Sequence, residues 1–373
     1  MASHILPRVK GAVPWLNDRL IFLTVHGSRA YGTSTPTSDL DLKGVAIPPK
    51  EYSLGYLNRF DQAEFKEPDA VVYSIQKFFA LAADCNPNII EVLWTDPEDH
   101  LYVTPFSEKL LAHKEAFLSL KAKHTFSGYA ISQLKRIKTH RRWLLNPAEE
   151  EPKREDFGLP VMAKLSREQM GAIEKFVKEK ISDWEINWEV VPYSERLALR
   201  ESFEQTLTDM SLGTEEERWV SAARQVGLEE NFLELIIQER RYQGARRNWK
   251  QYHEWKKNRN PTRAQTEAES GFDRKHATHL VRLMRMGEEI LTTGKVIVKR
   301  PDAEELLAIR NGAWTYDELI TWAEDMDAKL TRLYTESTVL PKQPDRKFLD
   351  RLCVELVEEA LQQEVLSSPS EVS

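Results

Sequence analysis

The stretch that most restricts the fold is residues 20–48, LIFLTVHGSRAYGTSTPTSDLDLKGVAIP. It opens with an apolar, β-branched run that reads as a buried strand. His26-Gly27-Ser28 ends the run, and a loop rich in Gly, Ser, Thr and Pro leads to a second apolar pattern at Ser38-Asp39-Leu40-Asp41-Leu42. Side chains alternate along a strand, so Asp39 and Asp41 are expected on one face, with Leu40 and Leu42 in the core. Two carboxylates on one face repel each other. A divalent cation is the simplest species that keeps both ionised, and hard oxygen ligands suit Mg²⁺ or Mn²⁺. Gly27 lets the backbone approach a ligand closely, its amide and that of Ser28 can point at an anion, and the Ser28 hydroxyl adds a donor. An Asp-x-Asp alone also fits a plain strand–turn–strand with two surface aspartates; the Gly-Ser at this spacing is what adds a phosphate cradle beside a metal-binding pair.

Composition narrows the class. The 373 residues, 41% hydrophobic and 30% charged, describe a globular chain with room for two domains. A net charge of −7 provides no global basic field, so any polyanion site must be local. Cys85 and Cys353, the two cysteines, follow no metal spacing and exclude a disulfide framework. No run approaches the ~18 apolar residues of a membrane span, and the N-terminus lacks a signal-peptide core. The expectation is a cytoplasmic protein.

Further along, Pro7 and Pro14 argue against a long helix in the lead-in, and the region after Pro48-Pro49 reads as a loop. Residues 69–73 read as a third strand carrying Asp69, Val71 and Tyr73 on one face. Residues 74–83 have helical period, Asn86-Pro87-Asn88 breaks it, and residues 102–145 read as helical. Residues 147–160 form a charged connector. Residues 166–240 read as a helical insertion with Trp184, Trp188 and Tyr193. Residues 240–263 mix basic groups, including Arg246, Arg247, Lys250 and Arg263, with the aromatics Trp249, Tyr252 and Trp255. Basic groups can follow a nucleic-acid backbone while aromatics stack on bases. The same composition suits a helix whose aromatics are core. On a helix from residue 271, Lys275, His279 and Arg282 share one face, opposite Ala277, Leu280 and Met284, and would suit a triphosphate. His276 and His279, at i and i+3, have no third zinc ligand of obvious spacing. Residues 314–334 and 348–366 read as amphipathic helices, with a disordered tail from about 367.

Taken together, these motifs resemble the nucleotidyltransferase superfamily typified by DNA polymerase beta, whose pattern is Gly-Ser, about ten residues, then Asp-x-Asp between apolar residues; His26 stands where an apolar residue is usual. Gly27-Ser28-Arg29-Ala30-Tyr31-Gly32-Thr33, the segments 73–82 and 86–94, Lys275-His276-Ala277-Thr278-His279-Leu280-Val281-Arg282-Leu283, Thr293-Gly294 and Ile309-Arg310-Asn311-Gly312 are similar to a bacterial and phage branch known as YcgL-like predicted nucleotidyltransferases, or RNA-ligase-associated polymerases. The resemblance implies an α+β fold: a small mixed-sheet catalytic domain over residues 1–110, then a mostly α-helical domain over 111–373 with the insertion at about 147–240. It implies two Mg²⁺ or Mn²⁺ ions on Asp39, Asp41 and a third acid at or near the start of the next strand. That acid is Asp69, with Glu67 and Glu64 as rivals. It implies an NTP such as ATP held by Gly27, Ser28, Arg29, Lys275, His279 and Arg282, with the last three neutralising charge on the leaving group. An RNA 3′ end in a repair setting is the implied acceptor, and Arg246, Arg247, Lys250, Trp249 and Tyr252 are its candidate contacts. NMP transfer to a protein or small-molecule hydroxyl, and a non-catalytic nucleotide- or RNA-binding module, are the alternatives.

Overall fold

The computed structural model describes residues 13–163, 165–182, 214–259, 264, 267 and 270–367. The chain forms two compact units, Met1–Arg141 with Gln265–Ser373, and Arg142–Ala264. The strands are β1 (Leu20–His26), β2 (Asp41–Ala46), β3 (Gln62–Lys66), β4 (Asp69–Ser74) and β5 (His100–Val103). The longer helices are, in chain order, α1 (Ile75–Ala83), α2 (Pro87–Leu93), α3 (Pro105–Ala112), α4 (Lys121–Leu145), α5 (Arg167–Ser182), α6 (Glu215–Gln225), α7 (Glu230–Asn258), α8 (Arg274–Thr293), α9 (Ala303–Arg310), α10 (Tyr316–Glu336) and α11 (Arg346–Ser367).

In the first unit the strands form one sheet in the order β3-β4-β2-β1-β5. β2 and β4 pair in parallel and the other pairs are antiparallel, so the sheet is mixed and the fold is α+β as expected. One face packs Leu20, Leu23, Leu42, Ala46, Ala70 and Val72 into a small core. The other face adds Phe22, Val45, Ile47 and Tyr73 to the larger core built with the helices. Each helix entry has a local cause. Ser74 Oγ accepts from the Lys77 amide at 3.2 Å and starts α1. Asn86 Oδ1 accepts from the Asn88 amide at 3.1 Å, and Pro87 takes the first helical position of α2. The same three residues that end one helix therefore begin the next. Helix α8 buries Ala277, Leu280, Met284 and Ile290. A Cβ at its Gly287 would stand 3.4 Å from Phe126 Cβ on α4 and 3.6 Å from Leu330 Cδ2 on α10, so a small residue sets how closely these helices cross.

The second unit has its own core, in which Val177 of α5, Trp219 and Ala222 of α6, and Leu233 and Ile236 of α7 are buried. Among the described residues both cysteines are free, and no helix is long and apolar enough to cross a membrane. Pro7, Trp184, Trp188, Tyr193, Arg263 and the tail beyond Ser367 lie outside the described residues.

Three sequence expectations need correction. The strand at Asp69 is the fourth, because β3 precedes it; β3 is an edge strand of mostly polar residues, Gln62-Ala63-Glu64-Phe65-Lys66, and such strands carry no apolar signature. Residues 102–103 belong to β5, which pairs with β1, and helix begins only at Pro105. Leu40 is 40% exposed, because β2 starts one residue later, whereas Leu42 is buried.

Gly44 shows how tightly the small core is closed. A Cβ there would lie 2.9 Å from the Phe22 carbonyl oxygen and 3.0 Å from Leu23 Cδ1. Gly44→Ala should lower stability by about 1–3 kcal/mol through overpacking. The check is a urea titration, in which the midpoint should fall with the slope unchanged.

Candidate functional site

The sheet register assembles a row. β1 ends at His26, β2 starts at Asp41 and β4 starts at Asp69; His26 sits opposite Asp41, and Asp41 beside Asp69. Asp39 is exposed, two residues before Asp41. Gly27 follows His26 with φ +67°, and a Cβ there would overlap the Asp41 carboxylate, whose Cγ would be only 2.9 Å away. Glycine is thus required twice over, by its backbone angle and by the acid packed against it. Ser28 beside it is half-buried. The Arg29 guanidinium donates to the carbonyls of Asp39 at 3.3 Å and Ser38 at 3.0 Å, so it fixes the loop that carries Asp39.

Electrostatics mark Asp41 as the stressed member. Burial raises its carboxyl above the ordinary value, the charges of Asp69 and Asp39 add to the rise, and Lys275 and Lys43 oppose it. Lys43 lies two residues along β2. Burial lowers its ammonium, while Glu91, Asp41 and Asp69 hold it up. Of the rival third acids, Glu64 pairs with Val71 on the edge strand, and Glu67 is exposed in the turn before β4. Asp69 is the one that adjoins Asp41.

Behind the row lies a buried ionic cluster that sequence reasoning missed. Glu91, fully buried on α2, accepts from the Tyr31 hydroxyl at 2.5 Å and from Arg282 Nη1 at 2.5 Å. His26 Nε2 lies 3.3 Å from Glu91 Oε2, out of line for a hydrogen bond. The Arg282 guanidinium stacks on the Tyr31 ring at 3.8 Å. Burial alone would push the Glu91 carboxyl up. Arg282, with the His26 and Tyr31 side chains, outweighs burial and holds it well below the carboxylate range. The signal was present: Glu91 is the one charge in the apolar run Ile89-Ile90-Glu91-Val92-Leu93. Lys43 had no such signal.

The stripe expected to grip a triphosphate is therefore corrected in two members. Lys275 is exposed, and its charge reaches Asp41. Arg282 is 3% exposed and paired with Glu91, so it is core beneath the site. His279 is pushed down to about 3 by burial and then by Arg282, so its imidazole is neutral and can offer a hydrogen bond but no charge.

In the second unit the basic–aromatic stretch forms α7. Tyr252 is buried against Trp143, His253 and Trp255, which removes it as a platform for bases. Trp249 stacks on His253 and donates to the Glu149 carbonyl at 3.3 Å. Arg240, Arg241 and Lys256 pair with Glu174, Glu216 and Glu149. Arg246, Arg247 and Lys250 form no ion pair among the described residues, and line a cavity of about 920 Å³ with Arg154, Arg167 and Tyr242.

A mixed sheet with a Gly-Ser turn and acids at neighbouring strand ends is the arrangement expected of a polymerase beta-like nucleotidyltransferase domain. Residues 1–147 match the model of the RlaP family, described as the RNA repair pathway DNA polymerase beta family. The chain is also 39% identical over 82 residues to an uncharacterised 38.9 kDa protein of Enterobacteria phage T4, encoded in the nrdC-mobD intergenic region; the match covers 19% of this chain and 24% of the relative. It thus spans about a quarter of that relative's length. No solved structure matches.

Two measurements test the cluster. Glu91→Ala leaves the Arg282 charge buried without its partner and should cost about 3–5 kcal/mol in chemical denaturation. Because the folded Glu91 carboxyl lies below its ordinary 4.5, its contribution is complete above that pH and is lost as the pH falls further, a dependence that Glu91→Gln should lack. His279 should show no imidazole titration by NMR between pH 5 and 8, and a midpoint near 6.5 would contradict its placement.

Proposed function

We propose that this protein transfers NMP from an NTP to an acceptor hydroxyl, with release of pyrophosphate, and that the acceptor is an RNA 3′ end. The observation that carries the reading is the Asp41–Asp69 adjacency under Gly27: neighbouring carboxyls, one of them raised by burial and by the other's charge, are a site that a dication would stabilise. Asp39, Asp41 and Asp69 would hold Mg²⁺ or Mn²⁺. Such ions, when bound, polarise the phosphates and stabilise the attacking and leaving oxygens. The residues of the chain do the rest. The Gly27 and Ser28 amides and the Ser28 hydroxyl bind phosphate oxygens. Asp69 takes the proton of the acceptor hydroxyl as that oxygen attacks the α-phosphorus, and the bond from the α-phosphorus to the bridging oxygen of pyrophosphate breaks. Lys275 neutralises charge on the departing pyrophosphate. His279 donates one neutral N–H. Arg29 and the Glu91–Arg282 cluster position the loops.

Arg246, Arg247 and Lys250, which form no ion pair among the described residues, line a cavity in the second unit that also holds Glu174, Glu215 and Glu239, and they support a polyanionic acceptor over a small-molecule one. The protein alone, a labelled NTP, Mg²⁺ or Mn²⁺ and an RNA oligonucleotide should give an extended strand, and a 3′-deoxy end should not react. Asp41→Asn and Asp69→Asn should each reduce the rate by at least about a thousandfold while the fold persists. More than about a tenth of the wild-type rate in either variant would remove that acid from the assignment. Replacing Arg246, Arg247 and Lys250 by Ala should weaken RNA binding and flatten the log–log salt slope by about 0.7 per lost contact, with the nucleotide KM unchanged. If RNA binding is unaffected, the acceptor is a protein or small-molecule hydroxyl.

A further inference from the structure

The cavity of the second unit, about 920 Å³, lies within the size range of small-molecule sites. Six basic side chains line it, together with the carboxylates of Glu174, Glu215 and Glu239. Two of those carboxylates are already committed. Glu239 accepts from both terminal nitrogens of Arg154, at 2.9 and 2.7 Å, and Glu174 accepts from Arg240 Nη1 at 2.7 Å. Arg167, Arg246, Arg247 and Lys250 remain, with Glu215 as the carboxylate left over.

Gln243, Arg246, Arg247 and Lys250 stand at i, i+3, i+4 and i+7 of α7, so they share one face. Three cations at this spacing repel one another. Arg240 and Arg241, earlier on the same helix, each have a glutamate, and these three have none among the described residues. Arg246 adds a second observation. Its Nε is buried and has no hydrogen-bond acceptor. A buried donor left without an acceptor is costly, and an anion that bridges two guanidinium nitrogens satisfies it best. Another part of the lining is apolar, formed by Val161, Leu165 and Met170. Val161 is 72% exposed, so this part is open to a ligand. Tyr242 is not, because its ring is buried under the Arg154 guanidinium. The ligand that matches the whole lining has a compact multiple negative charge joined to an apolar body.

We infer that this cavity holds one phosphorylated nucleotide, with its phosphates on Arg246, Arg247 and Lys250 and its base against Val161, Leu165 and Met170. An inorganic anion would leave the apolar lining in water, and an uncharged nucleoside would leave the cations unanswered. The nucleotide is either free or the 5′-phosphorylated end of a strand, and the chemistry of recognition is the same. The inference rests on the reading of these three cations as a polyanion contact. It narrows that reading from a strand followed along its backbone to a single nucleotide gripped in a cavity. It requires nothing of the acids in the first unit.

The test uses the full chain with a chelator present, which suppresses any dication-dependent nucleotide binding at Asp41. Calorimetric titration with ADP should show one site, and adenosine and inorganic phosphate should each bind at least about 100-fold more weakly. Replacing Arg246, Arg247 and Lys250 by Ala should lower ADP affinity by at least about 100-fold. Lys250→Glu, at an exposed position, should lower it about tenfold or more with an unchanged circular dichroism spectrum. Asp41→Asn should leave it unchanged. Displacement of ADP by an RNA with a 5′-phosphate, and not by the same strand with a 5′-hydroxyl, identifies a strand end as the occupant. Displacement by neither identifies the free nucleotide and moves the RNA contact elsewhere. Binding of ADP that is absent, that survives the triple replacement, or that disappears in Asp41→Asn would overturn the inference. If ADP does not bind while the triple replacement still weakens RNA whatever its 5′ end, the single-nucleotide site is wrong and the RNA contact stands.

Discussion

The Arg282–Glu91 pair joins side chains 191 residues apart, and the geometry of the first unit depends on it. Taking two charges out of water costs several kcal/mol each, so a buried pair is stable only when its remaining hydrogen-bonding and electrostatic needs are met. Here Tyr31 meets two of them, donating its hydroxyl to Glu91 and offering its ring face to Arg282. His26 closes on the same carboxylate. His26 and Tyr31 flank Gly27-Ser28 in sequence, so one buried carboxylate fixes the residue before the turn and the loop after it. The C-terminal part of the chain adds a further anchor, because the Arg300 amide donates to the Tyr31 carbonyl at 3.1 Å. The turn beside the acids is thus held from α2, α8 and the segment before α9.

That rigidity keeps the acids where they are unfavourable. A carboxyl whose folded pKa is raised contributes stability that is present at low pH and lost as the pH rises through the raised value. Asp41 is such a group, and at neutral pH its ionised form opposes folding. Anything that binds the folded row and not the unfolded chain recovers the loss by mass action. Lys43 and Lys275 recover part of it from within the molecule. Strain concentrated where a ligand would relieve it is the mark of a site, and structural ion pairs elsewhere, such as Lys109 with Glu359, carry none of it.

Much of this was legible in the sequence. The apolar run ending at His26-Gly27-Ser28 read as β1, and residues 69–73 read as the strand that opens at Asp69; the shared strand face expected of Asp39 and Asp41 does not form, because β2 begins only at Asp41 and Asp39 lies in the loop before it. What failed to register had physical reasons. β3 is polar because it is an edge strand. The opposite face of α8 looked like a cationic clamp because spacing shows which residues share a side, and shows nothing of an anion brought to that side from elsewhere; Glu91 turns Arg282 into core. Tyr252 and Trp255 matched the composition of a base-stacking surface, but composition does not reveal Trp143, more than a hundred residues earlier, against which both pack.

Arg141 explains how the first unit tolerates the second within its sequence. It is the last residue before the chain leaves for Arg142–Ala264, and its guanidinium donates to the Gly271 carbonyl at 3.3 Å and stacks on the Tyr316 ring at 4.1 Å. Gly271 has φ +76°, and a Cβ there would stand 2.6 Å from Arg141 Nη1, so the returning chain is pinned against the residue that precedes the departure. Departure and return are therefore fixed to each other by contacts internal to the first unit. An intervening segment with its own core then adds little closure cost to the sheet and α8, because loop-closure entropy grows only slowly with length. The acids at Asp41 and the cavity at Arg246 belong to different units, so each can be substituted without removing the other's packing.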